Sequence, residues 1–233
     1  MKVKAITLIP LPISENQTFI TQEYHEVFKS TTHYAVEDVR TARRFISSLK
    51  LGLNIETLHF FVLDKKTSEV EVKKYLDEVD AERVGVMSEA GCPGVADPGQ
   101  LMVKIAHQKN INVKPLIGPS SILLALMASG LNGQNFAFIG YVPIQQEEKA
   151  KRIKQLSKHV LETGQTQIFI ETPYRNNSLI KDLIKNLDKE LILCVAQNLS
   201  SESELISCHK ISWWEKTMIN LDKTPCIFLI GKA

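Results

Sequence analysis

The chain has 233 residues, of which 44% are hydrophobic and 23% charged, with 28 basic against 26 acidic side chains and a formal net charge of +2. That length can bury a substantial core, as one large α/β domain or two small ones, and with this composition long disordered stretches are not the expectation. The near-balance of charge does not advertise a polyanionic partner and does not exclude one.

The amino terminus, MKVKAITLIPLP, sets basic residues before an apolar run that is too short and too proline-interrupted for a signal sequence or a membrane helix. A cytoplasmic protein without membrane contact is expected. Short apolar, β-branched runs then alternate with amphipathic stretches, the pattern of βα units around a mainly parallel sheet. Strands are predicted at Val3 to Ile9, His33 to Val36, Glu56 to Phe61, Arg83 to Met87 and Asn112 to Leu116. Between them, Glu37 to Leu49 and Ser68 to Val79 carry apolar residues at helical spacing.

After Gly118 the pattern restarts. GPSSILLALMASG predicts a buried helix closed by Gly130, with Ser120 or Ser121 as its cap. A strand at Asn135 to Gly140, a charged helix at Glu147 to Glu162, a strand at Gln165 to Ile170 and a helix at Tyr174 to Leu187 follow. Leu191 to Val195, Glu204 to Ile211 and Pro225 to Ile230 are strand-like with one short helical segment near Trp213 to Asn220, which predicts hairpin pairing and a mixed second sheet. The expected architecture is two α/β domains, residues 1–116 and 117–233, the first sheet mainly parallel and the second mixed. Cys92, Cys194, Cys208 and Cys226 form no CxxC pair and the histidines are scattered, so reduced thiols and no metal site are expected.

The loop after the fourth strand, SEAGCPGVADPG, packs Gly91, Gly94 and Gly99 with Pro93 and Pro98 into a dozen residues from Ser88 to Gly99. Glycine permits close ligand approach and proline stiffens the path, and the carboxyl end of a strand is where open α/β sheets bind ligands. Glu89 and Asp97 in this loop are candidates for orienting a ligand or accepting a proton, with a helix-capping role equally open for Asp97. A second candidate is LIGPSSIL, where Gly118, Pro119, Ser120 and Ser121 open an apolar helix. A third is FIETPYRN, where Glu171 and Thr172 end a strand before Pro173, again with capping as the alternative. The fourth is VEDVRTARR, where Glu37 and Asp38 precede Arg40, Arg43 and Arg44 on one side of a helix, suited either to phosphate or to a solvated salt-bridged face. No GxGxxG follows the first strand, and GxxxxGKS, GxSxG and HExxH are absent.

In that order, VEDVRTARRF, SEAGCPGVADPG, GPSS and FIETPYR resemble the tetrapyrrole methylase superfamily of S-adenosylmethionine-dependent methyltransferases, and within it the branch that methylates small-subunit ribosomal RNA. The resemblance implies two α/β domains with the methyl donor in the cleft between them, and a homodimer. It implies that Gly91, Cys92, Pro93 and Val95 line the donor pocket from the first domain, and Gly118, Pro119, Ser120, Ser121, Ile122, Glu171, Thr172 and Pro173 from the second. It makes Glu37, Asp38, Arg40 and Arg43 candidates for positioning a ribose 2′-hydroxyl of ribosomal RNA. Such an acceptor must lose a proton, which leaves Glu89, Asp38 and Asp97 as candidate bases. The segments Pro10 to Asn16, Leu58 to Thr67 and Gln197 to Ser201 depart from that branch's pattern. A tetrapyrrole, a protein side chain or another small acceptor is the alternative, and a non-catalytic ligand- or RNA-binding scaffold a second one.

Overall fold

The computed structural model describes residues 3–15, 19–217 and 219–232, so Asn16 and Met218 of the segments above lie outside it. The chain divides between Ser120 and Ser121 into two units, which places Gly118, Pro119 and Ser120 with the first.

In the first unit the chain runs β1 (Ala5–Ile9), α1 (Gln22–Lys29), β2 (His33–Val36), α2 (Val39–Ser48), β3 (His59–Val62), α3 (Glu69–Glu78), β4 (Arg83–Met87), α4 (Gly99–Gln108) and β5 (Asn112–Pro115). The five strands lie in the order β3-β2-β4-β1-β5, and every pairing is parallel. The inner strands are apolar on both faces because helices cover both. Ile6, Ala35, Val84 and Val86 pack into one core with α3 and α4, while Ile9, Tyr34, Val36 and Met87 pack into the other with α1 and α2. Pro115, which cannot donate to a ladder, sits on the edge strand β5. Local chemistry sets the helix starts. Thr21 accepts from Tyr24 N to open α1, and Ser68 and Glu71 cap each other's backbone to open α3.

The expected strand from Glu56 to Phe61 is corrected at its start. The Asn54 side chain accepts from Glu56 N and pulls Ile55–Thr57 into a 3-10 turn, so β3 begins only at His59.

In the second unit the order is α5 (Ser121–Ser129), β6 (Phe136–Tyr141), α6 (Gln146–Thr163), β7 (Thr166–Ile170), α7 (Asn176–Asn186), β8 (Ile192–Gln197), β9 (Leu205–Lys210), α8 (Ile211–Trp214) and β10 (Cys226–Gly231). Its sheet runs β6-β7-β10-β8-β9, with β6 parallel to β7 and the other pairings antiparallel, so the expected hairpin and mixed sheet are present. Phe169, Leu193, Val195, Phe228 and Ile230 form the core beneath α6 and α7, and α5 packs on the other face against β10 and β9. A buried Lys149–Asp182 pair at 2.8 Å, with Gln146 also donating to Asp182, ties α6 to α7.

Three expectations shift here. The helix α5 is not fully buried: Ala125, Leu126 and Ser129 face the sheet, but Leu123 and Met127 are 50% and 79% exposed. The helix predicted from Tyr174 starts at Asn176, because Pro173 and the Glu171–Arg175 contact wind residues 173–175 into a 3-10 turn. The segment expected near Trp213 to Asn220 is helical only over α8, which starts earlier because Ile211 N still donates to Leu191 O at the end of the β8–β9 ladder. No helix among the described residues is long and apolar enough to cross a membrane.

Candidate functional site

In the first unit, parallel pairing brings the carboxyl ends of all five strands to one edge, and three loop segments meet there. Leu11, just past β1, forms a two-hydrogen-bond bridge with Gly91: Leu11 N donates to Gly91 O at 2.9 Å and Gly91 N to Leu11 O at 3.0 Å. The Cys92 thiol lies 3.3 Å from Pro119 O, to which it donates, past the end of β5. At Gly118 the approach is so close that an added Cβ would lie 2.2 Å from Cβ of Pro10. The structure thus joins Gly91 and Cys92 to Gly118 and Pro119, and adds Pro10 and Leu11. In the sequence the segment from Pro10 stands out only as a departure from the pattern of the ribosomal RNA branch. No local signal marks it, because the contact is made across the sheet.

The loop from Ser88 is held from within. Gly91 and Gly94 have φ of +69° and +83°, in the left-handed region where a side chain strains the backbone. Ser88 Oγ donates to Gly91 O at 3.0 Å. Asp97 Oδ1 accepts from Gly94 N at 2.5 Å and from Gly99 N, at the start of α4, at 2.9 Å. An added Cβ at Gly99 would meet Gly94 N and Asp97 Oδ1, both at 2.9 Å. Asp97 therefore works as the clasp of its own loop. Burial pushes its carboxyl up from the ordinary value, and the two N–H groups pull the other way. Pro93 is buried inside the turn and Val95 is exposed at its tip. The Cys92 thiol is raised by burial and by the nearby Asp97 charge, so it stays protonated.

Carboxylates crowd the same edge. The register pairs Val36 with Val62 and with Met87, so one residue further on Glu37 stands between Leu63 and Ser88, with Asp64 and Glu89 next in their chains. Glu37 is half-buried, and burial raises its pKa; Glu89, Asp97 and Asp64 raise it further, against an opposing Lys65. Asp64 and Lys65 went unnoticed in the sequence. Asp64 accepts from Lys66 N and Thr67 N in a tight turn, and Asp64, Lys65, Thr67, Asp97 and Gln100 line a shallow groove of about 350 Å³.

The neighbouring candidates separate. Asp38 is exposed and caps α2, accepting from Thr41 N at 2.6 Å, a bond that lowers its pKa. Arg40 and Arg44 are exposed on α2. Arg43 turns away, bonding Glu56 at 2.9 Å with its guanidinium 5.8 Å from the centre of the Phe60 ring. Glu89 is exposed.

In the second unit, Ser121 is the first residue of α5, followed by Ile122. Glu171 directly follows β7, with its side chain 2% exposed. Its Oε1 accepts from Thr172 N at 2.6 Å and from Arg175 Nε at 2.9 Å, and a second guanidinium nitrogen closes the pair. Arg175 was part of the FIETPYR motif but was not singled out. Its guanidinium holds its proton more firmly because of Glu171.

Comparison with known proteins gives the same reading. Residues 25–211 match the Tetrapyrrole (Corrin/Porphyrin) Methylases. The chain belongs to that family. It is 30% identical over 199 residues to the ribosomal RNA small subunit methyltransferase I of Vibrio cholerae, a match that takes in 85% of this chain but just under two thirds, 66%, of that relative. It is 26% identical to the protein of the same name from Buchnera aphidicola subsp. Schizaphis graminum, across 98% of this chain and 79% of the relative. Among solved structures, uroporphyrin-III C-methyl transferase from Thermus thermophilus complexed with S-adenyl homocysteine has the same fold, with a TM-score of 0.56 over 98% of this chain and 97% of that one at 14% identity.

Proposed function

We propose that the protein transfers a methyl group from S-adenosylmethionine to a ribose 2′-hydroxyl of small-subunit ribosomal RNA. The observation that carries this reading is the meeting of Gly91 and Cys92 with Gly118 and Pro119 at the carboxyl edge of the parallel sheet, in a chain whose motifs and relatives are those of methyltransferases. The residues suit the donor. Glycines with positive φ let backbone approach a ligand, the Cys92 thiol is uncharged, and the carboxylates of Glu37, Asp64, Glu89 and Asp97 outnumber Lys65, which favours a sulfonium cation over a polyanionic cofactor. On the motif match, Pro93, Val95 and Ser120 join this set, and Ser121, Ile122, Glu171, Thr172 and Pro173 are donor residues of the second unit. Glu171 acts there through its fixed carboxylate and the Thr172 and Pro173 backbone.

The reaction is an in-line displacement. The acceptor oxygen bonds to the methyl carbon, the carbon–sulfur bond breaks, S-adenosylhomocysteine leaves, and the hydroxyl proton passes to a base. Holding the two centres in near-attack geometry is the main contribution of the protein, with no covalent intermediate. Of the carboxylates at the edge, Glu37 is the base best suited to the task, because its raised proton affinity strengthens it while Asp38 and Asp97 are engaged as a helix cap and a loop clasp. Glu89 stands beside it and adds negative charge. Arg40 and Arg44 are exposed for backbone phosphates, a role in which Arg43 is limited by its bond to Glu56.

The protein acts in the cytoplasm as a homodimer in this reading, for which the exposed Leu123 and Met127, one turn apart on α5, supply apolar surface. The test is incubation of the purified protein with methyl-labelled donor and undermethylated small ribosomal subunits, alongside calorimetry with S-adenosylmethionine. Label on the RNA is expected. Donor binding with label only on small molecules or proteins would move the acceptor to another class, and absence of donor binding would overturn the reading.

A further inference from the structure

The antiparallel pairing of β8 with β9 sets Cys194 directly opposite Cys208. Ile211 N donates to Leu191 O at 2.9 Å, which makes Leu191 and Ile211 a hydrogen-bonded pair. Bonded and non-bonded pairs alternate along an antiparallel ladder, so Leu193 and His209 are bonded and Cys194 and Cys208 are not. Non-bonded partners are the closer kind, with Cα atoms about 4.5 Å apart, inside the range of about 4.4–6.8 Å that a disulfide spans. Both thiols lie on the sheet face covered by α5, away from the core that holds Leu193 and Val195.

We propose that Cys194 and Cys208 are a reversible oxidation site, at which a hydroperoxide converts the two thiols into a cross-strand disulfide. The division of labour follows from their surroundings. Cys194 is completely buried, whereas Cys208 is half-buried on β9, the edge strand of the sheet. The two thiols face each other across the ladder, and their interaction lowers the pKa of the more accessible Cys208 while raising that of Cys194. The Cys208 sulfur attacks the terminal peroxide oxygen as its thiol proton is released, the O–O bond breaks, and a sulfenic acid forms while the other oxygen leaves as alkoxide, or as hydroxide from hydrogen peroxide, and takes up that proton. The Cys194 sulfur then displaces the sulfenic oxygen, which departs as water with the thiol proton. In total, two thiols and one hydroperoxide give one disulfide, water and the reduced hydroxyl compound.

The site is connected to the rest of the unit. Cys208 Sγ donates to Ser129 O at 2.9 Å, on the last residue of α5. A disulfide sulfur carries no proton, so oxidation removes that bond while covalently tying the edge strand to its neighbour. Cys92 and Cys226 have no cysteine opposite them, and Cys226 Sγ donates to Thr224 O within its own turn.

The experiment is a hydrogen peroxide titration of the reduced 233-residue chain, followed by denaturing alkylation and peptide mapping by mass spectrometry. The expected result is an intrachain link between Cys194 and Cys208, reversed by dithiothreitol, with the number of alkylatable thiols falling from the four in the sequence by one pair. Cys92→Ser and Cys226→Ser variants keep the link and Cys208→Ser loses it. Mapping on the unsubstituted protein decides the matter even if Cys208→Ser folds poorly. Four alkylatable thiols throughout, a sulfinic acid on Cys208 without the link, or a link between a different pair would overturn the proposal.

Discussion

Glu37 and Glu171 are both glutamates at the carboxyl end of a parallel-paired strand, just ahead of a helical turn, yet their surroundings set them to different work. In the all-parallel first sheet every strand ends at the same edge, where burial raises the pKa of Glu37 and the charges of Glu89, Asp97 and Asp64 raise it further against Lys65. In the mixed second sheet, Glu171 meets a guanidinium four residues on, and its carboxylate is pinned by Arg175 and Thr172 N. A carboxylate at a strand end thus has its proton affinity raised or is held as a fixed corner according to the burial and charge around it. Position in the chain does not decide between them.

The sharpest way to break this contrast is Glu37→Gln. Methyl transfer is expected to fall by about 100-fold, roughly 3 kcal/mol of barrier, with S-adenosylmethionine affinity measured by calorimetry falling far less, because three of the four carboxylates remain. A base must be ionised to work, and burial raises Glu37, so the rate should climb with pH through a range above the ordinary glutamate value. That acid limb should vanish in the variant. The same burial makes ionised Glu37 destabilising, because the folded state holds the proton that the unfolded chain has released. Stability should therefore decline as pH rises from the ordinary value to the raised one, and urea titrations of Glu37→Gln should show a flatter slope. An unchanged pH–rate profile in the variant would remove Glu37 as the base.

Gly118→Ala tests the loop junction of the first unit. Its new Cβ would collide with Pro10, which should cost about 1–3 kcal/mol in denaturant titration and weaken donor binding, since the segments that meet there must part. Arg175→Leu tests the other side of the comparison by leaving the Glu171 carboxylate without its guanidinium. A loss of about 2 kcal/mol is expected, less than for a fully buried pair because Arg175 is 40% exposed. The smallest effect belongs to Asp38→Ala, which removes the cap of α2 and should lower the urea midpoint only slightly.

Much of this was legible beforehand where the cause is local. β2 and β4 appear at the predicted limits, because a short apolar run buried on both faces and bounded by polar residues has few other uses. The mixed second sheet followed from three strand-like runs with too little helix between them for parallel crossovers. The start of β3 was misread because one asparagine side chain outcompeted strand pairing over three residues. Pro10 and Leu11 were missed as site-builders because their partners, Gly91 and Gly118, are reached only through the sheet.

By itself the amino-acid sequence determined the family, the alternation of strands and helices, and the glycine-rich loop from Ser88 to Gly99, all of which depend on residue type and short-range spacing. Only the tertiary structure decided that Asp97 clasps that loop, that Glu37 gathers the repulsion of three carboxylates, that Glu171 is held by Arg175, and that Cys194 faces Cys208. The reason is physical. Charge interaction, close approach and strand register depend on distance in space, and a parallel or antiparallel ladder brings together residues that the chain keeps far apart.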